Sequence, residues 1–217
     1  MSKIVTGLCA FVMLVFAPSV RADPLVITGG SLTIVGIFGG PTYTLTGQNF
    51  SVTSVGGDPG NSPNCLPCPS GTPISLNSFL VGSSLGNGTA TINGTTFDPV
   101  FFLGEFSFGA GSVILPPGTT DLTLTVPFTF SGNIRGCLPS SLVCTTEVFA
   151  TTDLIGQGIA TVEFLFGTVE NGVTLYSFRS ITYQFQEVPE PMTVILLGSG
   201  LIGLGAKLRS RRSRSST

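Results

Sequence analysis

The chain has 217 residues, no His, no Trp, five Cys and only 9% charged residues, with a formal net charge of −2. Without His the usual general base and the Ser or Cys triads built on it are excluded, and a sparsely charged acidic chain with no basic stripe does not suit nucleic acid phosphates. Seven of the nine cations lie in the two ends of the chain, so the stretch between keeps only Arg135 and Arg179 against ten acids, a balance near −8.

Met1 to Ala22 opens with Lys3, continues with an apolar run from Ile4 to Ala17 and closes on Val20-Arg21-Ala22. That is the pattern of a secretory signal helix, cut between Ala22 and Asp23 by signal peptidase after passage through the general secretion machinery. The alternative is an uncleaved anchor. Cys9 leaves with the signal; it is no lipoprotein cysteine, since Leu8 before it is not small.

Residues 23–187 form the body, long enough for one domain with its own core. From Asp121 to Ser131 the residues alternate, with Leu122, Leu124, Val126, Phe128 and Phe130 on one side and Thr123, Thr125, Pro127 and Thr129 on the other. Period two over that length predicts a half-buried strand, and Pro127 predicts an edge or a bulge within it. The same alternation runs through Ala160, Val162, Phe164 and Phe166, and through Tyr43, Leu45, Phe50 and Val52, where Gly47-Gln48-Asn49 reads as a hairpin turn. Further strands are expected at Leu25 to Thr28, Leu32 to Phe38, Ile74 to Val81, Thr89 to Ile92, Val100 to Phe108, Glu147 to Thr151 and Val173 to Phe185. Asn171-Gly172 marks a hairpin between the two longest late strands. No stretch shows helical spacing, and 29 glycines and 15 prolines punctuate the chain too often for helices. The expected fold is all-β, an antiparallel β-sandwich or jelly-roll-like body with most of the 17 Phe in its core.

Four cysteines remain in the body, Cys65 and Cys68 as C-x-x-C, and Cys137 and Cys144 further on. In an exported chain an even number reads first as disulfides. Two local bonds, Cys65 with Cys68 and Cys137 with Cys144, are favoured because Pro67 and Pro139 bend each segment; crossed pairing is the runner-up. A zinc site would need all four reduced and has no His to help it, and Pro-Asn-Cys-Leu-Pro-Cys-Pro is a poor helix start for a redox C-x-x-C, so neither metal nor cofactor is expected.

Paired carboxylates could still hydrolyse a glycosidic bond, but none of the ten acids falls in a catalytic pattern, so no catalytic residue is assigned. For binding sugar, Tyr43, Tyr176 and Tyr183 are the only substitutes for the missing Trp, and isolated strand Tyr more often serves sheet packing. The loop from Gly56 to Pro73 is the longest irregular piece. Within it Gly57 to Asn64 offers oxygen ligands for calcium, although turn-making explains the same residues better. Asn49, Asn87 and Asn93 each begin an N-x-S/T acceptor pattern.

The chain closes on Val188, Pro189, Glu190 and Pro191, then fifteen apolar or small residues from Met192 to Ala206, then Lys207, Arg209, Arg211, Arg212 and Arg214. As a helix the apolar run reaches roughly 22 Å, short of the ~30 Å hydrocarbon core, so snorkelling of Lys207 and Arg209 or a thinned bilayer must complete the transmembrane helix. The basic cluster stays cytoplasmic and holds the body on the far side. Gly198-Ser199-Gly200-Leu201-Ile202-Gly203 also fits G-x-G-x-x-G, but the strand, helix and acidic residue of a dinucleotide fold have no room after it. Together these three parts resemble the PEP-CTERM sorting signal of Gram-negative bacteria, covering about thirty residues.

That resemblance implies recognition of Pro189, Glu190 and Pro191 by exosortase, a membrane-embedded cysteine transpeptidase, with cleavage at or near the motif. It also implies a stay in the inner membrane during sorting and a final place at the cell surface or outside. The expected function is a non-catalytic surface or extracellular-matrix protein, with exopolysaccharide a candidate partner. The alternative is a lectin-like carbohydrate- or calcium-binding module on the same route.

Overall fold

The computed structural model describes residues 24–36, 39–58, 65–138, 144 and 146–187. The expected signal helix, the Ala22/Asp23 cut and the whole segment 188–217 lie outside them. Among the described residues there is no helix long and apolar enough to cross a membrane.

Among the described residues eleven strands succeed one another: β1 (Leu25–Val35), β2 (Thr42–Gly47), β3 (Phe50–Val55), β4 (Cys68–Pro69), β5 (Pro73–Ser75), β6 (Ser78–Ile92), β7 (Thr95–Gly109), β8 (Ser112–Ile114), β9 (Leu122–Cys137), β10 (Glu147–Glu170) and β11 (Val173–Phe185). Nine form one sheet in the order β1-β2-β3-β6-β7-β9-β10-β11-β4, while β5 and β8 pair with each other. The all-β expectation holds. The hairpin turns fall where backbone chemistry puts them: Gly47 pairs with Phe50 across Gln48-Asn49, and Glu170 with Val173 across Asn171-Gly172. In the second, both turn residues have positive φ (50° and 79°), the conformation Asn-Gly adopts most easily.

The expected arrangement of two packed sheets is replaced by one sheet that closes on itself. β1 pairs with β2 on one side, and on the other with β11, from Ser31↔Gln184 to Val35↔Ser180. Its first residues also run parallel to β10, Leu25 opposite Leu154 and Val26 opposite Ile155. The register shift between Ile27 and Gly29 accompanies this crossing from β10 to β11. Closure removes the two long edges that an open sheet would expose to other chains. β4 covers the part of β11 that β1 does not reach, at Leu175 and Tyr176.

Pro127 stands beyond the last β7 pair, Gly109↔Thr129, with only β10 beside it, which meets the edge expectation. Gly158 has a comparable local reason: a Cβ there would lie 1.9 Å from the Gln184 carbonyl oxygen, so only glycine lets β10 and β11 approach where the sheet closes.

The inward residues of every main strand meet in one core, among them Ile27, Leu32, Leu45, Val52, Leu80, Phe102, Phe106, Phe108, Phe130, Val162, Phe164 and Ile181. Phe108 stacks on Tyr183 with ring centres 4.1 Å apart, Phe128 meets Tyr183 and Phe185 edge-on, and Phe185 meets Phe130 in the same way. The expectation that most Phe are core residues is met for nine that are buried, against Phe79, which stays 42% exposed.

Candidate functional site

Hydroxyl and aromatic groups inside the sheet are occupied. Tyr43 donates to the Leu85 carbonyl (2.9 Å), Tyr176 to that of Pro116 (3.1 Å) and Tyr183 to that of Leu76 (3.3 Å), and the Tyr183 and Ser78 hydroxyls share a further hydrogen bond. All three tyrosines are at most 2% exposed. The expectation that isolated strand tyrosines serve packing is met, and none of the three offers a stacking platform for sugar: strand alternation turns each ring inward, where its large area is worth more to the core. Burial pushes the Tyr43 and Tyr183 phenols far above their ordinary range, against smaller opposing effects of the Ser54 and Ser78 hydroxyls.

The sulfurs of Cys65 and Cys68 are 1.86 Å apart and those of Cys137 and Cys144 1.91 Å, so the two local pairs favoured from sequence are the ones at bonding distance. The first pair sets β4 against β11; the second closes the connection from β9 towards β10. No group of three or more metal-ligating side chains occurs among the described residues. Of the calcium stretch, Gly57 and Asp58 are described and residues 59–64 are not.

Among the described residues, clefts mark the outer wall at β9 and β10. One, of about 400 Å³, lies over β9 and β10 between Gly109, Pro127, Thr129, Gln157, Ile159 and Gln186 and contains no charge. The other, of about 260 Å³, is lined by Gly132, Asn133, Arg135, Ala150, Thr151 and Asp153. It lies at a bulge in β10, where Thr151 pairs with Ile134 but Leu154 already pairs with Gly132. Arg179, the other cation of the body, is 3.6 Å from Glu163 on an exposed face, a pair of small energetic value. Sequence reasoning missed both clefts, because Arg135 and Asp153 stand 18 positions apart with no motif around either.

The chain enters and leaves this body at one place. Leu25 lies against Leu154 of β10, and the Gln186 amide donates to the Gln157 carbonyl (3.0 Å) just beyond the Gly158↔Phe185 pair. The body is thus a closed all-β unit whose two ends emerge side by side, with disulfide-distance cysteines of the kind an exported chain carries. A sorting address begins at its exit: residues 187–212 match the family model of the PEP-CTERM protein-sorting motif. The match takes in Val188, Pro189, Glu190 and Pro191 together with Lys207, Arg209, Arg211 and Arg212, and stops short of Arg214. Such a motif implies export, processing by exosortase and a cell-surface or extracellular fate. No curated protein and no solved structure matches the chain.

Proposed function

We propose that the chain is a non-catalytic surface or extracellular-matrix protein. After signal peptidase acts at Ala22-Asp23, the C-terminal helix and its cations hold it in the inner membrane until an exosortase-like transpeptidase cuts near Pro189-Glu190-Pro191 and passes the body outward. The observation that carries this reading is the sorting motif beginning just after β11 ends, on a body whose three tyrosines are all spent on its own packing.

Intact-mass analysis of the protein from its native host, as wild type and as Glu190→Gln, tests it. A wild-type form beginning at Asp23 and ending near Pro191, and a variant that keeps the Arg-rich end, are the expected results. A wild-type protein that keeps residues 192–217 would refute the processing step.

A second reading, carbohydrate binding by the displayed body, draws support from the two outer clefts, although not from the tyrosines. Both clefts are lined by amide, hydroxyl or carboxylate groups that suit hydroxyl-bearing ligands.

A further inference from the structure

Asp153 has a backbone φ of 57°, in the left-handed region. The other non-glycine residues described with positive φ are Asn49, Asn93 and Asn171, and all three sit in two-residue hairpin turns. Asp153 alone adopts this conformation inside a strand, at the β10 bulge. Bulges re-aim side chains, and a left-handed non-glycine residue persists where surrounding structure holds it. Here the hold is visible: the Thr151 hydroxyl donates to the Ile134 carbonyl (3.2 Å) and accepts from the Ile134 amide (3.3 Å), pinning the bulge to β9.

Arg135 lines the same cleft. It makes no ion pair among the described residues, neither with Asp153 beside it nor with Glu105 diagonally across the β7–β9 pair, whereas the body's other cation is engaged by Glu163. A guanidinium left open in a body near −8 calls for an anionic partner, and its planar fork fits a carboxylate with two hydrogen bonds. Asp153 and Asn133 then remain, a carboxylate and an amide suited to hydroxyl donors and acceptors. The cleft of about 260 Å³ is smaller than the ~300 Å³ at which sites for drug-sized ligands begin, and its only apolar side chain is Ala150, which leaves no seat for a peptide side chain.

We infer that this cleft binds a carboxylate-bearing sugar residue, with Arg135 taking the carboxylate and Asp153 and Asn133 taking ring hydroxyls. The inference rests on the carbohydrate reading above and narrows it. Because the body itself is acidic, a single or terminal uronic acid fits better than a run of them.

The test uses the full-length chain in detergent, titrated calorimetrically with an oligosaccharide ending in one uronic acid and with its neutral counterpart. The wild type should bind the acidic form about tenfold more tightly, and Arg135→Gln should remove that preference. Asp153→Gly gives a second arm, because glycine takes a φ of 57° without strain. That variant should keep or gain thermal stability and lose about tenfold in affinity. Equal affinity for both oligosaccharides, an unchanged preference in Arg135→Gln or full affinity in Asp153→Gly would each overturn the assignment. If the sugar binds wherever these variants leave it undisturbed, the cleft is wrong and the carbohydrate reading stands; if the wild type binds no sugar, both fall.

Discussion

The two buried phenols make a strong prediction about alkaline pH. Tyr43 and Tyr183 ionise in the unfolded chain near their ordinary value of 10.0, but burial holds them protonated well above it in the folded body. Between those limits the unfolded state releases protons that the folded state keeps, so stability is fully present below pH 10 and falls as pH rises. Linkage gives a loss of about 1.4 kcal/mol per tyrosine at pH 11, and about 3 kcal/mol for the pair, a large part of the 5–15 kcal/mol that typically holds a domain together. Urea unfolding between pH 8 and 11 should show a flat midpoint to about pH 10 and then a steady decline. Replacing either residue with Phe should roughly halve the slope of the decline, although each loses hydrogen bonds worth about 1–3 kcal/mol at neutral pH. Ultraviolet titration supplies the independent reading, because the two phenolates should form only as the protein unfolds. Reversible ionisation of Tyr43 and Tyr183 near pH 10 with folding intact would refute the reasoning.

Glycine positions should separate by what a methyl group would meet. Gly158→Ala, aimed at the Gln184 carbonyl where the sheet closes, should cost more than 3 kcal/mol or prevent folding; Gly94→Ala, with a φ of 79° and open space around it, should cost about 1 kcal/mol, both read from denaturant midpoints. Removing either disulfide should cost about 2 kcal/mol, since each closes a short loop, and Cys65→Ser/Cys68→Ser should release β4, seen as faster amide exchange at Thr174 and Tyr176 than at Ile181. Equal exchange rates at those positions would show that β4 holds without its sulfur link.

The candidate clefts were much less legible than the strands. Asp153 falls in the gap between the strand expected at Glu147 to Thr151 and the alternation that begins at Ala160, and nothing adjacent in sequence distinguishes Arg135 from a solvated surface cation. Their meeting depends on the one extra residue in β10 between Thr151 and Leu154, and a register shift leaves no trace in composition. Asn93-Gly94 shows the opposite case: read from sequence as part of an acceptor pattern, it forms the β6–β7 hairpin turn, with φ of 50° and 79°.

By itself the sequence determined the address and the material. The Pro-Glu-Pro motif, apolar run and Arg-rich end are contiguous, so their meaning does not depend on folding, and period-two alternation assigns an inward and an outward side to each strand because successive side chains must point to opposite faces. Tertiary structure decided what alternation leaves open, namely which strand lies beside which. Closure of β1 onto β11 joins residues about 150 positions apart, and that non-local pairing turned a predicted pair of sheets into one closed wall and brought the chain's entry and exit together.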